Sequence, residues 1–433
     1  MIEIEDLYQA YLQCDHVSID SRRLTGKSLF IALRGTRTDG NRYVRQALDS
    51  GALYAIADDP SLKGTSRVLI VSDALAALQA LGRHHRRQLR IPVIGLTGSN
   101  GKTTSKELLR AVLSQRYKTY STQGNYNNHI GVPISVLGIK DEHQIAVIEM
   151  GANHQKEIEF LCTIAEPDYV YITNYGLAHL EGFGGVEGII RGKSEIYDYA
   201  RTNDKTALVN CDDEKQVEKS RGIRRIITFG SRDTADYPVT LHSAKPFVAV
   251  KFRDHIIESN LSGRYNFSNI AAAVALGAEF GLSIEDIKQG ISSYIPDNNR
   301  SQFVDTGKAR FICDAYNANP SSMEGAVSNL AEFEGIRVAV LGDMYELGDY
   351  TDEAHQYISD LCQKLNIDEV YLIGEFFGRV KNETWVKFPS TESAMEYFKN
   401  YDPTGKTLLI KASRSMALER LYPILGIEPI KSL

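Results

Sequence analysis

The sequence predicts an α/β protein of several domains, on three observations. Short apolar, β-rich runs alternate with helical patterns along the chain. At 433 residues, 43% hydrophobic and 24% charged, it can bury more than one core, and its length suggests roughly two to four domains. One apolar strand leads through a glycine-containing turn straight into a helical pattern, the layout of a phosphate cradle.

The strand-like runs cover residues 53–57, 68–71, 93–96, 145–148, 169–173, 338–341, 370–373 and 408–410. Their alternation with helices implies layered, largely parallel sheets. Two polar stretches read as boundaries: residues 83–90, with two histidines and four arginines, and Pro296-Asp297-Asn298-Asn299-Arg300. They divide the chain into 1–85, 86–298 and 299–433. The histidine-arginine run reads as a solvated face between elements rather than a phosphate site.

A formal charge of −6 provides no general field for nucleic acid or an anionic membrane, so neither is expected as a partner. Five scattered cysteines without a C-x-x-C suggest no disulfide framework and no zinc site, which fits a reducing cytoplasm. Residues 1–15 hold four acids and no basic segment, and no apolar run approaches roughly 18 residues. No export signal or membrane anchor is therefore expected, and a monomer is the default.

In the cradle, Gly98, Ser99, Asn100 and Gly101 would fold backbone N–H groups around phosphate oxygens. Lys102 would reach the terminal phosphates, the Thr103 hydroxyl would ligate Mg²⁺, and Thr104 completes the ATP-binding loop before a helical pattern that begins at Ser105. Leu96 stands where the G-x-x-x-x-G-K-[ST] pattern has its first glycine.

Ligands of open α/β sheets gather at the carboxyl ends of strands. Glu149 follows the 145–148 strand and can hold Mg²⁺ against phosphates; His179, after the 169–173 strand, can complete a second cation site. Lys193 falls on a predicted helix over 188–200. Taken singly, a strand-end Glu, a loop His and a helical Lys also have ordinary structural readings.

Together these residues resemble the Mur ligase and folylpolyglutamate synthase superfamily. The loop Thr97-Gly98-Ser99-Asn100-Gly101-Lys102-Thr103-Thr104 looks like its variant phosphate loop. The run from Thr173 through His179 to Gly192-Lys193-Ser194-Glu195 is similar to the segment whose lysine is carbamylated by CO₂, usually Ala-Lys-Gly-Glu. The resemblance implies three domains: a small α/β N-terminal domain binding uridine nucleotide, a central P-loop ATPase domain with a parallel sheet, and a C-terminal Rossmann-like α/β domain. It also implies a carbamate on Lys193 as a metal ligand beside Thr103, Glu149 and His179.

Other stretches extend the resemblance over essentially the whole chain. Asp20-Ser21-Arg22 puts Ser21 and Arg22 near the UDP group, although the same residues read as a polar turn. Gly124-Asn125-Tyr126-Asn127-Asn128-His129, with Tyr126 for a usual leucine, makes Asn127 and Asn128 candidates for pyrophosphate or sugar, or for Asx-turns. Asn266 and Asn269 would contact ATP or cap a helix; Tyr265 replaces the family's histidine.

In the last domain, Arg300 and Asp314 lie beside the implied nucleotide, followed by Asp314-Ala315-Tyr316-Asn317-Ala318-Asn319-Pro320 and Leu341-Gly342-Asp343-Met344-Tyr345-Glu346. Lys411-Ala412-Ser413-Arg414, with Ala412 for a glycine, offers Ser413 and Arg414 to a dipeptide carboxylate.

The resemblance implies ATP-dependent joining of D-alanyl-D-alanine to UDP-N-acetylmuramoyl-tripeptide through an acyl phosphate. It further implies closure of the last domain, carrying Arg300 and Asp314 onto ATP. Alternatives are a sister ligase adding another amino acid, a P-loop switch and a silent binding protein.

Overall fold

A computed structural model describes residues 2–36, 38–296 and 299–427, and shows three sheets in chain order. The first has four parallel strands, His16–Ser18, Ser28–Ile31, Ala52–Ala57 and Val68–Ile70, lying side by side in that order. Helices Ile4–Leu12, Val44–Asp49 and Ala74–Gln88 accompany it.

The second sheet has nine strands. Val93–Thr97 runs parallel between Ile145–Glu149 and Tyr169–Ile172, with Leu96 opposite Glu149 and Thr97 opposite Ile172. That register brings three strand ends, and the loops after them, to one point. Strands Ala249–Phe252 and His255–Glu258 pair antiparallel at one edge. Central strands read as unbroken apolar runs because helices cover both faces. Lys102–Leu113, Phe267–Glu279 and Ile284–Ser293 pack on one side, while Glu157–Ala165 and Val186–Thr202 pack on the other.

The third sheet has six strands, all parallel except the edge strand Gln302–Asp305. Arg310–Asp314 pairs with Lys406–Lys411 so that Asp314 lies opposite Lys411.

One expectation meets a different outcome. Residues 83–88 are not a solvated face: they form the last turns of the Ala74–Gln88 helix, with His85 and Arg86 buried. The buried face that begins with the apolar Ala77, Leu78 and Leu81 continues at helical spacing through the polar His85 and Arg86, which bond to the central domain at Ile139 and Ala165. That helix runs through the 85/86 position. A Cβ on Gly82 would sit 2.8 Å from Pro133, so only glycine allows this approach. The expected division between 298 and 299 abuts residues 297–298, which with the last residues, 428–433, lie outside the described residues. All five cysteines are buried and free, and among the described residues no helix is long and apolar enough to cross a membrane.

Candidate active site

The converging strand ends of the second sheet open into a cavity of about 950 Å³. Its walls come from the central domain and from the third sheet's domain, among them Lys102, Glu149, His179, Asn269, Arg300 and Asp314.

Gly98 and Gly101 both have positive φ, 144° and 76°. A side chain at Gly98 would collide with the Thr173 hydroxyl at 2.0 Å, and one at Gly101 with the Asn269 amide at 2.6 Å. Both the curvature and the close packing therefore require glycine. The loop is tied to the neighbouring strand end: Ser99 N–H donates to the Asn174 carbonyl (3.0 Å), and Asn100 N–H donates to the Asn174 side chain (3.1 Å). The Thr173 hydroxyl donates to the Asn100 carbonyl (2.6 Å).

Lys102 folds over this loop, donating from Nζ to the carbonyls of Gly98 (2.8 Å) and Ser99 (3.1 Å). Burial lowers its pKa to about 8 despite the opposing Glu149 carboxylate, and Arg300 adds to the lowering. Thr104 is buried behind it.

Glu149 is 2% exposed. Its Oε1 accepts from the Thr103 hydroxyl (3.3 Å) and from Asn127 Nδ2 (2.8 Å). Its Oε2 is buried with no hydrogen-bond partner among the described residues. A carboxylate oxygen kept from water and from donors suits a hard cation, and Thr103 supplies a second oxygen beside it.

Lys193, on Val186–Thr202, is fully buried. Its Nζ donates to the Ala152 carbonyl (2.9 Å) and lies 4.8 Å from the centre of the Phe183 ring. Burial holds the amine well below its ordinary pKa, and the nearby Lys102 charge lowers it further. A neutral amine is the form that adds to CO₂, so the residue fits a carbamate.

His179 lies at the rim with φ 56°, its Nδ1 paired with Glu346 from the other domain. The same contact holds the Glu346 carboxyl below the usual range. Asn266 and Asn269 do not cap with their side chains. Asn269 Nδ2 donates to Asn266 Oδ1 (2.9 Å), and the Ser105 hydroxyl donates to Asn269 Oδ1 (3.0 Å), coupling them to the cradle helix.

Across the cavity, the Arg300 guanidinium lies 3.7 Å from the centre of the Tyr316 ring. Asp314 accepts from Lys411 Nζ (2.6 Å) and from Ser301 N–H (2.9 Å).

The structure brings together the cradle residues, Glu149, His179, Asn266, Asn269, Arg300 and Asp314. Asn127 and Asn128 also line the cavity; Asn127 is directed at Glu149, and the Asn128 side chain closes an Asx-turn onto Ile130 and Gly131. Ser21 and Arg22 do not line this cavity; Arg22 makes a bidentate pair with Asp20 in a surface turn. Ser413 is buried and accepts from Tyr345 N–H (3.1 Å). Arg414 pairs with Glu419 (2.9 Å) and lies 5.8 Å from the Tyr316 ring centre, sharing that ring with Arg300.

Of the two departures in pattern, Tyr265 bonds to the Ser301 hydroxyl (2.8 Å), and Ala412 packs on Gly342, which leaves room for its methyl. Asn174, Asn319, Ser321, Glu346 and Lys411 were not assigned roles from sequence. Asn174, Asn319, Glu346 and Lys411 fall inside the family-like runs, and only the fold shows what their side chains meet.

The chain belongs to the Mur ligase family. Residues 13–97 match the family's "catalytic domain", 96–277 the "Mur ligase middle domain", and 299–414 the "Mur ligase, glutamate ligase domain". It is 34% identical to the UDP-N-acetylmuramoyl-tripeptide--D-alanyl-D-alanine ligase of Bacillus subtilis, over 96% of this chain and 93% of that one. The enzyme of the same name from Escherichia coli is 33% identical, over 96% and 94%. Among solved structures it is similar to MurF from Acinetobacter baumannii, with a TM-score of 0.87, 32% identity and 98% of each chain covered. It is also similar to MurF ligase from Thermotoga maritima in complex with ADP, with a TM-score of 0.84, 27% identity and 96% and 97% covered.

Proposed function

We propose that this chain is a cytoplasmic, ATP-dependent amide-bond ligase that adds D-alanyl-D-alanine to UDP-N-acetylmuramoyl-tripeptide, giving the pentapeptide, ADP and phosphate. The observation that carries the reading is the gathering of Lys102, the partnerless Glu149 oxygen and Arg300 around one cavity, in a chain similar to such ligases over its whole length.

A carboxylate is a poor electrophile. The tripeptide's terminal carboxylate oxygen attacks the γ-phosphorus of ATP, the bond to the β-phosphate oxygen breaks, and ADP leaves. The dipeptide amine then attacks the acyl carbon, loses a proton, and phosphate departs. No covalent bond to the protein is needed, so rate depends on positioning and charge.

Lys102 releases the Gly98 and Ser99 carbonyls to meet the terminal phosphates, and the Ser99–Gly101 backbone cradles them. Thr103 and Glu149 would hold Mg²⁺, with His179 and carbamylated Lys193 holding a second cation; such ions neutralise charge on the transferred group. Asn266, Asn269, Arg300 and Asp314 bind the nucleotide. Ser21 and Arg22 bind the UDP end on the first domain, helped by Asn127 and Asn128. Ser413 and Arg414 take the dipeptide carboxylate. The domains divide as 1–85, 86–298 and 299–433, and the protein acts as a monomer.

The test is phosphate release from ATP with UDP-N-acetylmuramoyl-tripeptide, with and without D-alanyl-D-alanine, with mass detection of the product. Release that requires both substrates and yields the pentapeptide is expected. Acceptor-independent release would indicate a P-loop switch, and turnover with a different amino acid would indicate a sister ligase.

A further inference from the structure

His179 and Glu346 meet from different domains. His179 follows the Tyr169–Ile172 strand and precedes the short Leu180–Phe183 helix; Glu346 follows the Ile336–Gly342 strand. Both residues have left-handed backbones, φ 56° and 63°. Glu346 is engaged twice: its side-chain Oε2 meets His179 Nδ1, and its carbonyl accepts from Glu181 N–H (3.2 Å). Gly348, two residues on, has φ 56° and lies beside Glu181.

An ionised carboxylate only accepts hydrogen bonds. The hydrogen between the two side chains therefore belongs to His179 Nδ1, and Nε2, on a ring that borders the cavity, has no hydrogen-bond partner among the described residues. Histidines that bind metals usually donate their other N–H to a carboxylate, which sets the tautomer and makes the ligating nitrogen more basic.

We propose that Glu346 is a positioning residue for the second cation site: it presents Nε2 of His179 as the ligand. Because Glu346 arrives on the C-terminal domain, the ligand is competent only when that domain is docked. Cation binding and domain docking thus favour each other. This rests on the reading of His179 as a cation ligand.

The test measures Mn²⁺ binding to the full chain by electron paramagnetic resonance of the free ion, with a non-hydrolysable ATP analogue present. Wild type is compared with His179→Ala, Glu346→Ala and Glu346→Gln, and small-angle scattering reports docking in each. His179→Ala should lose one bound Mn²⁺. Glu346→Ala should keep the count but weaken that ion at least about tenfold. Glu346→Gln, whose amide oxygen still accepts from Nδ1, should fall between wild type and Glu346→Ala with the domains docked. Unchanged affinity in Glu346→Ala overturns the proposal. So does equal weakening in both Glu346 variants with the domains undocked, which would make Glu346 a docking contact alone. If His179→Ala binds Mn²⁺ as wild type does, the ligand reading of His179 fails as well.

Discussion

Glu149 illustrates how one residue acquires a role from its surroundings. Its N–H is tied to the Thr122 hydroxyl (3.0 Å) and its Oε1 to Thr103 and Asn127, so the orientation of Oε2 is set before any ligand binds. Glu149→Gln keeps the shape and an acceptor for Asn127 but removes the charge. Turnover should fall by about a hundredfold or more, as when a group aimed at transition-state charge is lost. The Mg²⁺ concentration for half-activation should rise. Thermal stability should not drop, because a buried carboxylate with one unpaired oxygen is replaced by a neutral amide. A lowered melting temperature with unchanged Mg²⁺ dependence would make Glu149 structural. Lys193 shows the reverse case: by helical pattern alone it reads as solvent-facing, and only the fold reveals that it is buried.

At the scale of elements, the Ala74–Gln88 helix fastens the first domain to the second. Arg86 donates to the carbonyls of Ala165 (2.9 Å) and Glu166 (2.9 Å) and to Asp168 (2.8 Å). Arg86→Ala strands these acceptors and should cost roughly 2–3 kcal/mol by denaturant unfolding.

One residue earlier, His85 donates from Nε2 to the Ile139 carbonyl (2.8 Å) and accepts from Tyr8 at Nδ1 (3.2 Å). Burial lowers its pKa below the ordinary 6.5, with Lys140 and His84 adding and Asp141 opposing. The unfolded chain therefore takes up this proton first as pH falls. The contribution of neutral His85 is complete above 6.5 and is lost as pH drops through the folded value. The stability difference between wild type and His85→Gln should shrink from pH 7.5 to pH 5.5; a constant difference would rule out this linkage.

For the whole molecule, the relation between the second and third domains matters most. One apolar cluster runs from Ile148, Met150 and Phe183 to Met323, Ala326 and Leu341. Polar contacts beside the cavity add Asn319 Nδ2 to Asn100 Oδ1 (2.7 Å), Leu177 N–H to the Ser321 hydroxyl (2.8 Å), and the His179–Glu346 pair. The structure thus holds Arg300 and Asp314 against the cavity, the arrangement expected of a closed enzyme. Each neutral hydrogen bond is worth about 1 kcal/mol. The double variant Asn319→Ala, Ser321→Ala should therefore lower turnover about tenfold or more, with a larger mean radius in solution scattering. Reduced turnover at an unchanged radius would place these residues in ligand binding instead of docking.

Local pattern by itself determined the α/β class, eight of the strands and the phosphate loop, and it placed Glu149 and His179 after strand ends; Lys193 stood out only through the family resemblance. Phosphate cradles and strand ends are short-range devices whose residues are neighbours in sequence. Tertiary structure decided what depends on chain segments far apart. The run at 83–88 became an interface because His85 and Arg86, on the helix's buried face, find acceptors at Ile139, Ala165, Glu166 and Asp168. Asn127 was turned toward Glu149 by the neighbouring loop. Asp314 acquired Lys411 through strand register, and Glu346 reached His179 across 167 residues. Sequence spacing carries no signal for such pairs, since only the packing of separate sheets brings them within hydrogen-bonding distance.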